Sequence, residues 1–450
     1  MTNSYYDSII WLGGDTVKRK FWNKLKEWQE KNIEMPLMVV GARQVGKTYI
    51  IDKFCRGNFD DYVYINLKDE PDIIDFFKES IPTVDKVKKL ELKLNRSIKV
   101  NTVIFFDEIQ ESEELISALK YFCDSSFPYK IVCAGSLLGV KLKRFNSSFP
   151  VGKVNILHMY PMDFEEFLLG IGEELAIGEI KRCFNEDAKI DNFLHRKLLE
   201  FYRLYLCVGG MPKSIMNLRD NGLNILDYDS NIVKSIIEAY LADMKRYTLS
   251  YFETVKIEKI YKNMPSQLAK ENKKFQYSKI EKNARSRDYE SALDWLLASN
   301  LVLKCNLVDR LESPLKGFMN ENSFKLYFSD VSILTSMLEM SYNKILLDEN
   351  MMYKGVIAEN YVDNELVKNG FSLYYWAVNQ VAEIDFLIDT DDGVIPIEVK
   401  ANDNTTSKSL NYYVSKYKPN YSIRISTKNF GFENGIKSVP LYAVFCIEKN

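Results

Sequence analysis

A glycine-rich loop near the N-terminus carries the clearest chemistry in the sequence. It reads Gly41, Ala42, Arg43, Gln44, Val45, Gly46, Lys47, Thr48 and Tyr49, and all but the last satisfy the pattern G-x-x-x-x-G-K-[ST]. Its glycines let backbone N–H groups wrap a phosphate, while Lys47 reaches the β- and γ-phosphates and Thr48 ligates magnesium. An apolar run enters the loop and a helical pattern leaves it, so the helix N-terminus also favours an anion. The loop therefore predicts an ATP site with Mg²⁺.

A pair of carboxylates follows another apolar run. Asp107 and Glu108 come directly after VIFF. Asp107 is expected to hold the magnesium ion through water, and Glu108 to orient and deprotonate the attacking water. Ser136 ends the next run, KIVCAGS, where its hydroxyl could sense the γ-phosphate or the water; a simple turn is the alternative. These residues predict ATP hydrolysis rather than binding alone.

A second group of reactive residues lies near the C-terminus. Glu359 falls on a predicted helix, Asp385 on a strand, and Glu398 and Lys400 on the next strand. Because side chains alternate between the faces of a strand, Glu398 and Lys400 point the same way, and Asp385 can join them. Two carboxylates could then bind a divalent metal ion, with the lysine beside a water and a phosphodiester. The alternative is a buried ion pair of Lys400 with Asp385, without catalysis.

The elements around the glycine-rich loop follow an alternating pattern. Short β-rich runs at 37–40, 62–66, 103–106 and 130–134 are each separated by enough chain for a helix. This pattern is typical of a parallel sheet with helices on both faces. An amphipathic stretch at 21–28 predicts a lead-in helix.

The rest of the chain has a different pattern. After Pro161 it is helical to about residue 250, apart from a loop at 209–212. Two helical patterns and a β-like hairpin then give the outline of a winged helix. A helix from about 355 to 368 and three apolar strands predict a small α/β domain at the end. The predicted division is a lead-in helix (1–35), an ATPase core (36–170), a helical region (171–250), a winged-helix-like domain (251–345) and an α/β domain (346–450).

The composition excludes several classes of protein. The 450 residues carry a formal net charge of −2, and only His158 and His195 are histidines, which excludes a histidine-rich zinc site. The seven cysteines form no C-x-x-C pair, which fits a reducing compartment. No apolar run approaches the roughly 18 residues of a membrane span. We therefore expect a soluble, cytoplasmic protein without a membrane partner.

The overall balance of charge conceals one basic segment. Between Lys256 and Arg287 there are ten basic and three acidic residues, a local charge of +7, with aromatic residues interleaved. Such lysines could contact the phosphates of DNA. The alternative is a solvated face or a surface on which another domain docks.

Four strings resemble one family in their order and spacing. GARQVGKT, FFDEIQ, AGSLLGV and YPMDFEEFL are similar to the prokaryotic AAA-type ATPases, close to the STAND group. The later strings YLCVGGMPKSI, FKLYFSDVSIL and GVIAENYVDNEL resemble their C-terminal half, which is known only as a domain of unknown function. The resemblance implies an ATP-hydrolysing core whose Walker positions fall on Gly41, Gly46, Lys47, Thr48, Asp107 and Glu108.

The same resemblance implies further roles. A G-x-P loop near the adenine would be formed by Gly210 and Pro212, although a loop that merely ends a helix is the alternative. Relatives carry Gly-Arg where this chain has Gly152-Lys153, so the positive residue at the γ-phosphate would be Lys153 or, failing that, Arg144. The C-terminal set of Glu359, Asp385, Glu398 and Lys400 resembles the restriction-endonuclease-like fold, with Glu383-Ile384-Asp385 in place of its Pro-Asp pair.

The sequence thus predicts an α/β protein with a P-loop ATPase sheet of the AAA type. MgATP hydrolysis would switch a DNA-binding winged helix and a nuclease-like domain. The alternatives are an ATP-regulated, metal-dependent nuclease of defence or mobile-element biology, and a nucleotide-gated DNA-binding regulator that is not an enzyme. A homo-oligomer is one further expectation for such a core.

Overall fold

The computed structural model describes most of the chain. The described residues are 19–31, 35–79, 81–123, 129–136, 139–140, 150, 152–248, 250–270, 273–347, 353–378, 381–402 and 408–449. They belong to two compact units. The N-terminal unit contains residues 1–160 with 298–300, and the C-terminal unit contains 161–297 with 301–450.

The N-terminal unit is built on one parallel sheet. Its strands are β1 (Leu37–Val40), β2 (Tyr62–Asn66), β3 (Val103–Asp107), β4 (Lys130–Gly135) and β5 (Asn155–His158), in the order β2-β3-β4-β1-β5. Its helices are α1 (Phe21–Glu30), α2 (Lys47–Asn58), α3 (Asp72–Lys78), α4 (Thr83–Leu94) and α5 (Glu113–Ala118). Both β1 and β3 are buried along their whole length, as continuous apolar runs in a parallel sheet should be. The predicted α/β fold with a P-loop sheet is confirmed.

The edge strand β5 was missed by the sequence analysis. It pairs in parallel with β1, so that Leu37 lies opposite Asn155 and Val40 opposite His158. Its residues are only half-buried or exposed, because an edge strand has a neighbour on one side only. Its short sequence, NILH, lacks the β-rich apolar run by which the other four strands were recognised.

The C-terminal unit begins with a group of helices. They are α6 (Phe164–Gly170), α7 (Glu174–Glu186), α8 (Asn192–Val208), α9 (Pro212–Asp220) and α10 (Asn231–Arg246). Helix α6 starts with a capping box, in which Asp163 accepts a hydrogen bond from the Glu166 N–H (2.8 Å) and the Glu166 carboxylate accepts one from the Asp163 N–H (3.2 Å). This cap fixes where the chain turns into the helix.

An eight-stranded sheet forms the rest of the C-terminal unit. Its strands are β6 (Val302–Val308), β7 (Met319–Phe328), β8 (Tyr374–Val378), β9 (Ala382–Thr390), β10 (Gly393–Val399), β11 (Ser422–Ser426), β12 (Gly431–Glu433) and β13 (Ile436–Pro440), in the order β12-β13-β11-β10-β9-β8-β6-β7. The remaining helices are α11 (Tyr251–Leu268), α12 (Ser286–Ala298), α13 (Val331–Met337), α14 (Tyr342–Leu346), α15 (Lys354–Lys368) and α16 (Lys408–Tyr417).

The hairpin expected to form a wing belongs to this larger sheet. Strands β6 and β7 follow α11 and α12 as the helix-helix-hairpin pattern predicts. However, β6 also pairs in parallel with β8, with Asn306 opposite Tyr374 and Leu307 opposite Tyr375. The predicted boundary at residue 345 therefore separates strands of one continuous sheet. The β6–β8 pairing joins distant parts of the chain, so no local pattern reveals it.

At the glycine loop between α8 and α9, three segments of the chain lie in close contact. The Gly210 N–H donates to Asp330 Oδ2 (2.7 Å), and the Gly210 carbonyl accepts from the Met162 N–H (2.7 Å). A Cβ atom at Gly210 would lie 2.1 Å from the Met162 carbonyl oxygen. Since both backbone groups of Gly210 are bonded inside the C-terminal unit, the loop has a structural task of its own. The adenine contact of Gly210 and Pro212 stays a prediction.

Replacing Gly210 with alanine should destabilise the C-terminal unit. The added methyl group overlaps backbone, which cannot rotate away, so we expect a loss of about 1–3 kcal/mol in the free energy of unfolding. Gly178→Ala is the matched control, because Gly178 lies inside α7 with open space around its Cβ position; it should be neutral or stabilising by about 0.5–1 kcal/mol. Urea unfolding of both variants measures the difference. Equal unfolding midpoints would contradict the close packing of Gly210 against the Met162 backbone.

Candidate nucleotide-binding site

The glycine-rich loop leaves β1 and curls into the start of α2. Gly46 precedes α2 with φ 94°, and Gln44 has φ 68°, so the loop uses left-handed backbone that glycine adopts most readily. Gly41 packs so close to β5 that a Cβ atom would lie 2.1 Å from the Met159 carbonyl oxygen. Both glycines of the motif are thus required by geometry, one by its dihedral angle and one by close approach.

Lys47 is buried and folds back over its own loop. Its Nζ donates to the carbonyl oxygens of Gly41 (2.9 Å) and Ala42 (2.7 Å), and to Ser136 Oγ (3.1 Å). Ser136 follows the end of β4, next to β1, so the parallel register brings it to the loop. The structure therefore brings together the lysine of the loop and the serine that the sequence analysis selected. Each of these acceptors is a neutral oxygen, which a phosphate oxygen can replace.

Thr48 and Asp107 meet at the same edge of the sheet. Thr48 Oγ1 donates to Asp107 Oδ2 (2.7 Å), while the Glu108 N–H donates to Asp107 Oδ1 (2.9 Å). Burial raises the pKa of Asp107 above its usual range, and the hydrogen bonds from Thr48 and Glu108 offset part of this rise. A hydroxyl and a carboxylate in contact form the hard oxygen donor set that Mg²⁺ prefers. These residues fit the predicted magnesium ion.

Glu108 occupies a constrained position directly after β3. Its φ is 53°, a left-handed conformation that is uncommon for a residue other than glycine. Gln110 Nε2 donates a hydrogen bond to Glu108 Oε2, and Gln110 is itself 1% exposed. The catalytic carboxylate proposed from the sequence is therefore held by a buried amide rather than pointing freely into solvent.

Three residues of this site were missed by the sequence analysis. Gln110 is one, and Tyr64 is another, since its hydroxyl donates to Asp107 Oδ2 (3.2 Å). Arg19 is the third: its Nη1 donates to the Val45 carbonyl (2.7 Å) and its Nη2 to the Tyr160 carbonyl (2.8 Å). The pairing of β2 with β3 could have revealed Tyr64, and the string DEIQ could have revealed Gln110. No signal in the sequence marks Arg19.

Lys153 lies near the end of the sheet opposite the glycine-rich loop. It is exposed and precedes β5, whose first residue, Asn155, pairs with Leu37 at the start of β1. The glycine-rich loop follows the other end of β1, about 10 Å along the strand. The role of Lys153 at a γ-phosphate stays a prediction. Arg144 lies outside the described residues.

The four residues selected near the C-terminus come together, but in different pairs from those expected. Lys400 Nζ contacts Glu398 Oε1 (2.6 Å) rather than Asp385. Asp385 Oδ2 instead accepts from the Val399 N–H (2.9 Å). Burial raises the pKa of Asp385 to about 7, and the nearby carboxylates of Glu359 and Glu398 contribute to this rise. The ion pair that the alternative interpretation placed between Lys400 and Asp385 is thus formed between Lys400 and Glu398.

Two lysines that the sequence analysis did not select complete this cluster. Lys273 forms an ion pair with Glu359, and Lys325 forms one with Glu383. Lys325 is 1% exposed; burial alone would lower its pKa, but the carboxylates of Glu383, Glu359 and Asp385 raise it above the usual value. Within the described ranges, no group of three or more His, Cys, Asp or Glu side chains is arranged to hold a metal ion.

Comparison with known proteins agrees with the geometry of the N-terminal unit. Residues 34–168 match the family model described as an AAA domain. The sheet order, the loop after β1 and the carboxylates at the end of β3 agree with this match, and they give the N-terminal unit the fold of a P-loop NTPase. Residues 199–344 and 354–444 match two domains of unknown function, DUF8612 and DUF4143.

Relatives of the whole chain are distant. The uncharacterised protein MJ1544 of Methanocaldococcus jannaschii is 25% identical over 88% of this chain and 83% of its own length. The Walker-type ATPase PABY2304 of Pyrococcus abyssi is similar in structure over 72% of this chain and 96% of its own, with 17% identity and a TM-score of 0.43. The ORC2 protein of Aeropyrum pernix, solved with ADPNP and ADP, covers 73% of this chain and 92% of its own, with 12% identity and a TM-score of 0.39.

None of the described helices combines the length and the apolar character that crossing a bilayer requires.

Replacing Arg19 with alanine should weaken nucleotide binding. The change leaves the Val45 and Tyr160 carbonyls without their guanidinium donor and frees the loop to move, so we expect the dissociation constant of ADP to rise about tenfold, by analogy with other charged hydrogen bonds. Titration calorimetry measures this constant.

Two further variants separate positioning from charge. Arg19→Lys keeps the positive charge but has one donor nitrogen instead of two, so it should recover part of the affinity for ADP. Lys31→Ala removes an exposed cation that pairs only loosely with Glu27 (3.5 Å), and it should bind ADP as the wild type does. If Arg19→Ala binds ADP as tightly as the wild type, the hydrogen bond from Arg19 to the Val45 carbonyl does not support nucleotide binding.

Proposed function

We propose that the N-terminal unit binds ATP with Mg²⁺ and hydrolyses it to ADP and inorganic phosphate. The observation that carries this proposal is the convergence of four side chains at one edge of the parallel sheet. Lys47 donates a hydrogen bond to Ser136, and Thr48 donates one to Asp107. The match of residues 34–168 to the AAA domain supports it. Phosphoryl transfer depends mainly on positioning and on stabilisation of charge, and these residue types supply both.

The proposal gives each residue a defined task. Loop N–H groups and Lys47 hold the phosphates, and Ser136 stabilises charge on the γ-phosphate. A water attacks the γ-phosphorus, the bond to the β–γ bridging oxygen breaks, and Glu108 accepts the proton of the water. Thr48 and Asp107 would hold the magnesium ion, which neutralises phosphate charge when bound. Gln110 keeps the Glu108 carboxylate in a fixed position.

Removing the carboxylate of Glu108 should separate binding from hydrolysis. Glu108→Gln keeps the size of the side chain and its contact with Gln110 but cannot accept a proton, so kcat should fall by about 10²–10⁴-fold with ATP binding retained. Lys47→Ala should abolish both. Glu113→Gln, at an exposed position at the start of α5, is the matched control and should hydrolyse ATP normally. A Lys47→Ala protein as active as the wild type would refute the assignment of this site.

We further propose that the C-terminal unit contacts nucleic acid through part of its basic segment and that ATP hydrolysis alters this contact. Three of its lysines form ion pairs: Lys259 and Lys262 with Glu281 and Glu258 of the same segment, and Lys273 with Glu359 outside it. Only the pair with Glu359 lowers the local charge of +7 that the sequence shows. Four exposed cations have no carboxylate partner in the part of the chain that the structure describes: Lys270, Lys279, Lys282 and Arg285. These four support a phosphate contact that carries no base recognition.

Salt dependence tests the contact with nucleic acid. In Lys279→Gln/Lys282→Gln/Arg285→Gln, the slope of log K against log salt should decrease by roughly one for each phosphate that the protein no longer neutralises. The control is Lys316→Gln/Lys408→Gln/Lys418→Gln, which removes three exposed cations elsewhere in the same unit. A double-stranded oligonucleotide and a fluorescence assay give the constants. Equal slopes for both triple variants would contradict the proposal.

Metal-dependent cleavage of nucleic acid, the other predicted activity, requires carboxylates that are open to a divalent cation. Glu359 and Glu398 each contact a lysine ammonium group instead. The geometry therefore favours ATP hydrolysis as the chemistry of the chain.

A further inference from the structure

The carboxylate cluster of the C-terminal unit already contains cations supplied by the chain. Glu359 lies on α15, Asp385 on β9 and Glu398 on β10, and the restriction-endonuclease-like resemblance assigns a divalent metal ion to this kind of set. Helix α15 packs against β7 and β10, which brings the three carboxylates to one place. A metal ion could bind there only if oxygen atoms of these carboxylates were free of other partners.

Each carboxylate has a donor from the protein itself. Glu359 accepts from Lys273 Nζ on one oxygen and from the Tyr327 hydroxyl (3.3 Å) on the other. Asp385 accepts from the Val399 N–H, and Glu398 accepts from Lys400. The residues present therefore do not fit a metal ion as they stand, because each carboxylate has an N–H or O–H donor on at least one oxygen that the metal would have to displace.

Lys273 is held in place by the sheet beside it. Two residues later, the Phe275 N–H donates to the Phe324 carbonyl (2.9 Å), and the two phenylalanine rings stack with centroids 5.6 Å apart. Phe324 directly precedes Lys325 on β7, so the backbone that carries Lys273 is fixed next to the second lysine of the cluster. The side chain of Lys273 is 18% exposed and that of Glu359 is 5% exposed.

The charges of the cluster nearly cancel. Four carboxyl groups, those of Glu359, Glu383, Asp385 and Glu398, face three ammonium groups, those of Lys273, Lys325 and Lys400. A divalent cation would have to enter a site with little net negative charge and displace a paired ammonium group from a largely buried carboxylate. Breaking a buried ion pair is strongly unfavourable, since it leaves a charge without a partner.

We propose that Lys273 is the resident cation of this carboxylate cluster and that the cluster, with Lys273 in place, takes no divalent metal ion. The lysine ammonium stands in for the metal, so the cluster ties residues 273–275 to α15 and is not a metal-dependent nuclease centre. It follows that removal of the Lys273 charge should uncover a site for a divalent cation. This proposal is independent of ATP hydrolysis in the N-terminal unit.

Manganese binding to the full chain, without nucleotide, tests the proposal. Mn²⁺ accepts the oxygen ligands that suit Mg²⁺ and its free form is counted directly by electron paramagnetic resonance. Wild type and Asp385→Asn should bind Mn²⁺ equally, because the cluster holds none in either. Lys273→Gln should gain one Mn²⁺ with an affinity at least about tenfold above any wild-type binding, and Lys273→Gln/Asp385→Asn should not bind it. Lys279→Gln, at an exposed lysine of the same segment, should gain nothing.

Other results would overturn the proposal. Mn²⁺ bound by the wild type but not by Asp385→Asn would show that the cluster is already a metal site. A folded Lys273→Gln protein that binds no more Mn²⁺ than the wild type would show that Lys273 does not occupy a cation position. If Lys273→Gln is unfolded in the absence of metal, its thermal unfolding is measured with and without Mn²⁺. Refolding of the variant by Mn²⁺ supports the proposal, and no effect of Mn²⁺ counts against it. ATPase rates measured in parallel report only on the N-terminal unit, so the two proposals can fail separately.

Discussion

A lysine ammonium group that is removed from water has to be surrounded by oxygen acceptors, and both units of this chain are organised around that requirement. In the N-terminal unit, Lys47 is held by two loop carbonyls and by Ser136. In the C-terminal unit, Lys273 and Lys325 are held by carboxylates. Neutral oxygens can readily be exchanged for a phosphate, whereas a carboxylate can be exchanged only by breaking an ion pair. The same type of side chain thus has exchangeable neutral partners in one unit and charged partners in the other.

Much of the N-terminal unit could be predicted because its information is local. LMVV and VIFF are buried on both faces, and the motif spacing identified Lys47, Thr48 and Asp107 before any tertiary contact was known. Arg19 could not be found this way, since it lies 26 residues before the carbonyl of Val45 and 141 before that of Tyr160. Strand β5 escaped for a related reason: its place depends on pairing with β1 and not on its own composition.

The C-terminal unit shows where local patterns stop being sufficient. Strand alternation correctly placed Glu398 and Lys400 on one side of β10, and their ion pair reflects this. It could not reveal that Lys273, 86 residues before Glu359, reaches the same cluster. The basic character of residues 256–287 suggested contact with DNA, yet part of that charge is used within the unit. Lys259 and Lys262 pair with Glu281 and Glu258, which the local charge of +7 already includes, whereas Lys273 pairs with Glu359, which lies outside the segment. A charge counted along the sequence misses this last kind of pair.

The backbone near Tyr160, where the first segment of the N-terminal unit ends, is held by several hydrogen bonds. Arg19 bonds to the Val45 carbonyl of the glycine-rich loop and to the Tyr160 carbonyl, the last residue of the first segment of the N-terminal unit. Two residues later, the Met162 carbonyl accepts from the Tyr205 hydroxyl (2.6 Å) and from Lys368 Nζ (3.1 Å). Hydrogen bonds therefore fix the backbone on both sides of Pro161, whose ring restricts its own φ angle, so residues 160–162 have few free backbone torsions.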